Sequence, residues 1–156
     1  MKKFPNISHI DPNSLDGLNH LGKFLVDVQF LSGAIPSNQD GSHDPWDHLE
    51  ALMGLTTLGY KTQALKGLNW MVSNQNQDGS WYNLYQDEKP LELNKQTNYA
   101  AYVAVAVWHF YLINNDMNFL QEFWEPVKKG ILFSLSLQHD NGAIAWNIDE
   151  FEKIDE

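Results

Sequence analysis

The 156 residues fit one domain, and 43% hydrophobic residues with 19% charged are enough to build a packed core. The net charge is −10, all ten basic residues are Lys and there is no Arg, which argues against nucleic acid, anionic membrane surfaces and any Arg fork for phosphate. Cys is absent, so disulfides, thiolate zinc sites and a Cys nucleophile are excluded.

Residues 1–11 hold two Lys but no apolar run after them, so no secretory signal is expected. The longest apolar run, residues 99–113, falls short of the roughly 20 residues of a membrane span. A cytoplasmic protein is the resulting expectation. Five helices follow in chain order, with almost no strand signal. The first is predicted over residues 15–30, with Leu18, Leu21, Leu25 and Val28 on one face. The second opens at Asp44-Pro45, an N-cap followed by a proline tolerated at the first helical position, and stops at Gly59. A third covers residues 62–74. The fourth, residues 97–113, is apolar almost all round and so predicted to be buried on most sides. The fifth covers residues 118–137, with Pro126 either kinking it or starting a fresh helix.

An internal repeat follows the first, third and fifth helices. Gln29 to Ile35, Gln75 to Trp81 and Gln138 to Ile144 all read Q-x-x-[SDN]-G-[AS]-[IW]. A short polar residue before Gly is a turn signal, because Gly accepts positive φ. Connections after these turns are long (31–43 and 75–96), whereas residues 59–61 and 114–117 are short. Antiparallel stacking then gathers the long loops on one rim, together with the N-termini of the second and fourth helices. Long loops on a rigid scaffold tend to carry function.

This alternation resembles the α/α-toroid proteins. Gln75 to Trp81 resembles the QW motif of terpenoid cyclases and the related repeat of protein prenyltransferases. Trp108-His109-Phe110-Tyr111-Leu112, Asn115-Asp116, Phe119-Leu120 and Trp124-Glu125-Pro126-Val127 resemble the six-hairpin glycosidases, and Asp44 to Glu50 resembles a segment of bacterial prenyltransferase-like proteins. The resemblance implies an all-α fold: an incomplete α/α toroid of about five helices over residues 14–148, with an N-terminal extension (1–13) and an acidic tail (149–156). It also implies a carbohydrate-active, glycosidase-like protein or a fragment of one, binding a glycan at the long-loop rim. A prenyltransferase or cyclase-like protein and a non-catalytic binding or assembly module are the alternatives. There is no Asp-x-Asp-Asp acid and no Cys for a prenyltransferase-type zinc site. No cofactor or metal is expected. A half toroid would leave apolar edges, so a homodimer or a longer parent protein is expected.

The chemistry-bearing candidates cluster at the rim. Asp44, Asp47 and Glu50, three apart, share a helix face and are the candidate catalytic carboxylates. The same spacing also suits an N-cap with acidic first-turn residues, and the two roles are compatible. Aromatic faces and polar tips suit sugar rings, so Trp46, His48, Tyr82, Tyr85, Asn98, Tyr102, His109 and Trp146 are the candidate substrate-binding residues. Trp81 fits instead as packing between adjacent helices.

Overall fold

In the computed structural model, the described residues are 11, 14–149, 151, 153 and 154. The 1–13 extension, apart from Asp11, lies outside them. Five helices are present among the described residues: α1 (Leu15–Val28), α2 (Pro45–Thr57), α3 (Lys61–Ser73), α4 (Thr97–Asn114) and α5 (Met117–Ser136). Side chains cap three of them. Ser14, Asp44 and Asp116 each accept the backbone N–H three residues on. Pro126 neither ends nor divides α5; it sits inside one continuous helix. The missing N–H is tolerated there, and the Pro126 carbonyl accepts the Gln75 amide at 2.9 Å.

The inner helices α2 and α4 pack against each other, and α3 and α5 cover them from outside. α1 also leans on α2. The core follows this layering, with Leu49, Leu52 and Leu55 on α2, Ala64, Leu68 and Met71 on α3, Val103, Ala106 and Phe110 on α4, and Phe119, Phe123 and Phe133 on α5. The architecture is therefore all-α, consistent with an incomplete toroid of hairpins. No helix among the described residues is long and apolar enough to cross a membrane.

Two small antiparallel pairs add to the predicted helices. β1 (Leu84–Gln86) pairs with β2 (Lys89–Glu92), and β3 (Lys95–Gln96) pairs with β4 (Asn147–Ile148). The β1–β2 connection places Asp87 and Glu88 at positive φ, without the glycine that usually marks such a turn. The two long loops are tied together by reciprocal backbone bonds between His43 and Tyr85, at 3.0 and 2.9 Å.

The repeated turns share one construction. In each, the residue after Gln donates its N–H to the carbonyl four on (Phe30 to Ala34, Asn76 to Ser80, His139 to Ala143), at 2.8–2.9 Å. The residue before Gly accepts the N–H two on, through Ser32, Asp78 or Asn141. The glycines have φ of +111°, +94° and +88°. The Gln amide closes the loop by donating to the Gly carbonyl, at 2.8, 3.0 and 2.8 Å. A further copy lies in the first long loop. Asn38-Gln39-Asp40-Gly41-Ser42 is identical in sequence to Asn76-Gln77-Asp78-Gly79-Ser80 and repeats its bonds, Asp40 accepting from Ser42 N at 2.9 Å and Asn38 donating to the Ser42 hydroxyl at 3.0 Å.

Candidate functional site

The rim carrying the long loops holds the carboxylates. Asp44 caps α2, accepting from Asp47 N at 2.9 Å. Burial pushes its carboxyl above the usual range, the bond to Asp47 N opposes this, and the Asp47 charge adds to it. Capping and a raised pKa thus coexist in one residue. Asp47 and Glu50 are exposed one turn apart. Both line a cavity of about 620 Å³ between α1, α2 and the first long loop, with Phe24, Leu25, Ile35 and Pro36 as its apolar wall.

Glu50 also belongs to an aromatic group on the side of α4. Trp46 stacks on Tyr102 with ring centroids 3.9 Å apart and 6° between planes. Trp46 Nε1 donates to Glu50 Oε1 at 2.9 Å, and the Tyr102 hydroxyl donates to the same oxygen at 3.5 Å. Burial, then the Glu50 charge, raise the Tyr102 hydroxyl. Tyr99 lies one turn earlier on α4. Burial and the charges of Asp44, Asp47 and Glu92 push it up to about 12, so its hydroxyl stays protonated and available as a donor. Tyr99 is a further residue of this group beyond the candidates of the sequence, and its i, i+3 spacing to Tyr102 is the signal that marks it.

The other predicted residues divide. Tyr82 is half-buried next to Tyr85. Asn98, on the first turn of α4, is half-buried, and its Oδ1 is buried without a partner. Trp146 is 67% exposed and donates Nε1 to Gln96 Oε1 at 2.9 Å. It lines a second, amide-rich groove of about 1000 Å³ with Asn83, Gln96, Asn141 and Asn147.

Three expectations of direct substrate contact need correction. His48 is fully buried, accepting Ile35 N at Nδ1 and donating Nε2 to the Gly67 carbonyl, both at 3.1 Å. It is a strut between α2, α3 and the first turn, and burial depresses its pKa to about 3. Tyr85 is also in the core, ring-stacked on His43, its hydroxyl accepting Tyr82 N. His109 sits near Thr57, the last residue of α2, with its Nε2 3.4 Å from the Thr57 hydroxyl. α2 has 13 residues. That places His109 about 20 Å from the Asp44 end, at 1.5 Å per residue. Among the described residues no group of three or more His, Asp or Glu could hold a metal.

No protein-family model matches the chain. A curated relative does: an MMP endo-(1,4)-3-O-methyl-alpha-D-mannosidase of Mycolicibacterium hassiacum is 38% identical over 122 residues, covering 78% of this chain. The chain spans about a third of that relative's length, 34%. Two solved structures share the fold. A sugar epimerase from a ruminal bacterium superposes with a TM-score of 0.68 over 92% of this chain and 40% of the other, at 14% identity. An alpha-amylase from Clostridium perfringens gives 0.59 over 86% and 42%, at 13% identity. At these identities the likeness to both enzymes is one of fold.

Proposed function

We propose that the chain is the glycan-handling part of a carbohydrate-active, glycosidase-type helical toroid. The 38% identity to the mannosidase carries this reading. It runs through a region where this chain sets two exposed carboxylates, Asp47 and Glu50, beside a stacked Trp46–Tyr102 pair. Carboxylates accept sugar hydroxyls, and an aromatic edge or face packs on the C–H side of a pyranose ring. Tyr99 supplies a donor and Asn98 an unpaired acceptor at the same helix start. Asp44, whose carboxyl burial pushes above the usual range, is the member of this group that the fold favours as a proton holder. Glycoside hydrolysis needs one carboxyl that holds a proton and a second carboxyl near it.

By analogy with the relative, the ligand is an α-(1,4)-linked, 3-O-methylated mannoside. The isoprenoid alternative needs a wall of aromatic faces around a carbocation. Here the rim aromatics are interleaved with three carboxyls, which favours hydroxylated ligands. Titration calorimetry with a 3-O-methylmannose oligosaccharide tests the reading. Asp47→Asn and Glu50→Gln should each weaken binding by about tenfold, the scale of one charge-assisted hydrogen bond. Wild-type affinity in both variants would leave these two carboxylates no part in ligand binding, and no binding by the wild-type chain would overturn the glycan reading.

A further inference from the structure

The cavity between α1, α2 and the first long loop has two unlike linings. α2 supplies Asp47 and Glu50, whereas α1 supplies Phe24 and Leu25 and the loop supplies Ile35 and Pro36. Both linings are held in place. Phe24 and Leu25 are half-buried and pack on the core. Ile35 is pinned by the bond from its N–H to the buried His48 Nδ1 at 3.1 Å, and Pro36 has a locked φ. On the α2 side, Trp46 and Tyr102 both donate to Glu50 Oε1. The volume of about 620 Å³ falls within the roughly 300–1,000 Å³ of small-ligand sites.

This pairing of linings restricts what can fill the space. Neither Asp47 nor Glu50 forms an ion pair with a Lys or His among the described residues. A wholly apolar occupant would bury both carboxylates without compensation. A sugar with hydroxyls on every edge satisfies the carboxylates, but it leaves a hydroxyl without a partner against Phe24 and Leu25. A sugar ring with a methyl ether on one edge and free hydroxyls on another satisfies both linings at once.

We infer that Phe24 and Leu25 are specificity-determining residues that read an O-methyl group of the sugar, while Asp47 and Glu50 take its free hydroxyls; this rests on the glycan reading above. The apolar lining thus discriminates a methylated mannoside from its unmethylated counterpart, which the carboxylates alone do not. One extra carbon in an apolar pocket discriminates by about 10- to 200-fold. Phe24 and Leu25 are only half-buried, so the lower end, about tenfold, is expected here.

Titration calorimetry on the full chain with two α-(1,4)-linked mannotetraoses, one 3-O-methylated on every ring and one unmethylated, tests this. The wild-type chain should bind the methylated sugar about tenfold more tightly. Leu25→Asn puts an amide where the methyl group would rest, and Phe24→Tyr adds a hydroxyl to the lining while keeping the ring. Each should cut the preference to about threefold or less, by weakening the methylated sugar while the unmethylated one keeps or gains affinity. A merely structural loss would weaken both sugars alike. Leu25→Met, apolar and close to Leu in volume, should restore the preference. The wild-type comparison needs no substitution, so it decides even where a polar variant fails to fold. Equal wild-type affinity for the two sugars, a preference that survives both polar variants, or parallel weakening of both sugars would each overturn the inference and leave the glycan reading standing. A wild-type chain that binds neither sugar would overturn the glycan reading and this inference with it.

Discussion

The second and third turns share a sequence pattern and a hydrogen-bond scheme but not an environment. Trp81 is enclosed between α3 and α5, donating Nε1 to the Met71 carbonyl at 2.8 Å and touching the Gly130 position. Ile144, its counterpart, faces outward. Local sequence therefore builds the turn, and the neighbouring outer helix determines what the turn is worth to stability. The largest effect that could break this comparison is at those two side chains. Trp81→Ala removes a fully buried indole and its hydrogen bond to the Met71 carbonyl, so it should cost about 3–5 kcal/mol. Ile144→Ala should cost about 1 kcal/mol, in keeping with partial burial. Urea unfolding midpoints at a concentration where the chain is monomeric would measure both, and equal losses would show that the third turn is as enclosed as the second.

The glycines sharpen the same contrast with a smaller change. Alanine at Gly142 meets only the penalty of a positive φ, about 1–2 kcal/mol. At Gly79 the new Cβ also meets the Lys129 backbone, which cannot rotate aside, so a total of about 2–5 kcal/mol is expected. The difference between the two variants reports the docked helix alone, because the turns are otherwise alike. A difference near zero in denaturant unfolding would mean that the α5 backbone yields to the second turn at no cost.

The helices and these turns were legible in the sequence because their determinants are local. Periodicity gave each helix to within two residues, and Q-x-x-[SDN]-G gave the turns. The copy at Asn38–Ser42 escaped because Ser37, not Gln, stands where the pattern begins and no helix precedes it. The β1–β2 hairpin escaped because Asp87-Glu88 carries positive φ without Gly. The rim carboxylates were readable from i, i+3 spacing. The roles of His48 and Tyr85 were not, since Ile35 and Gly67, which bond His48, and His43, which stacks on and pairs with Tyr85, lie 13 to 42 positions away. The position of His109 could have been read. A helix that starts at the rim with Thr97 has run most of its length by residue 109, which places that side chain at the far end.

The first turn differs from the second in a way that pH can expose. His48 joins Ile35 N to the Gly67 carbonyl, pinning the first turn to α3 through a neutral imidazole. The second turn has an indole in that layer, and its titratable link, Asp78 to Lys95 at 2.8 Å, runs to β3 rather than to the outer helix. Burial holds the folded-state pKa of His48 near 3, below the ordinary 6.5. Between these values the unfolded chain binds a proton that the folded chain refuses. Stability from this group is thus complete above pH 6.5 and declines as pH falls toward 3, by at most roughly 1.4 kcal/mol per pH unit. At pH 5 the loss is about 2 kcal/mol. His43 acts in the same direction, burial being the main cause. Acidification also relieves the repulsion within a chain of net charge −10, which opposes the loss. Comparing wild type with His48→Gln isolates the histidine, because that relief is common to both. Urea midpoints at pH 7 and pH 5 should fall further for wild type than for the variant, even though the variant starts lower. Parallel falls would mean that His48 accepts its proton without leaving the core, and that the first turn gains no acid sensitivity from it.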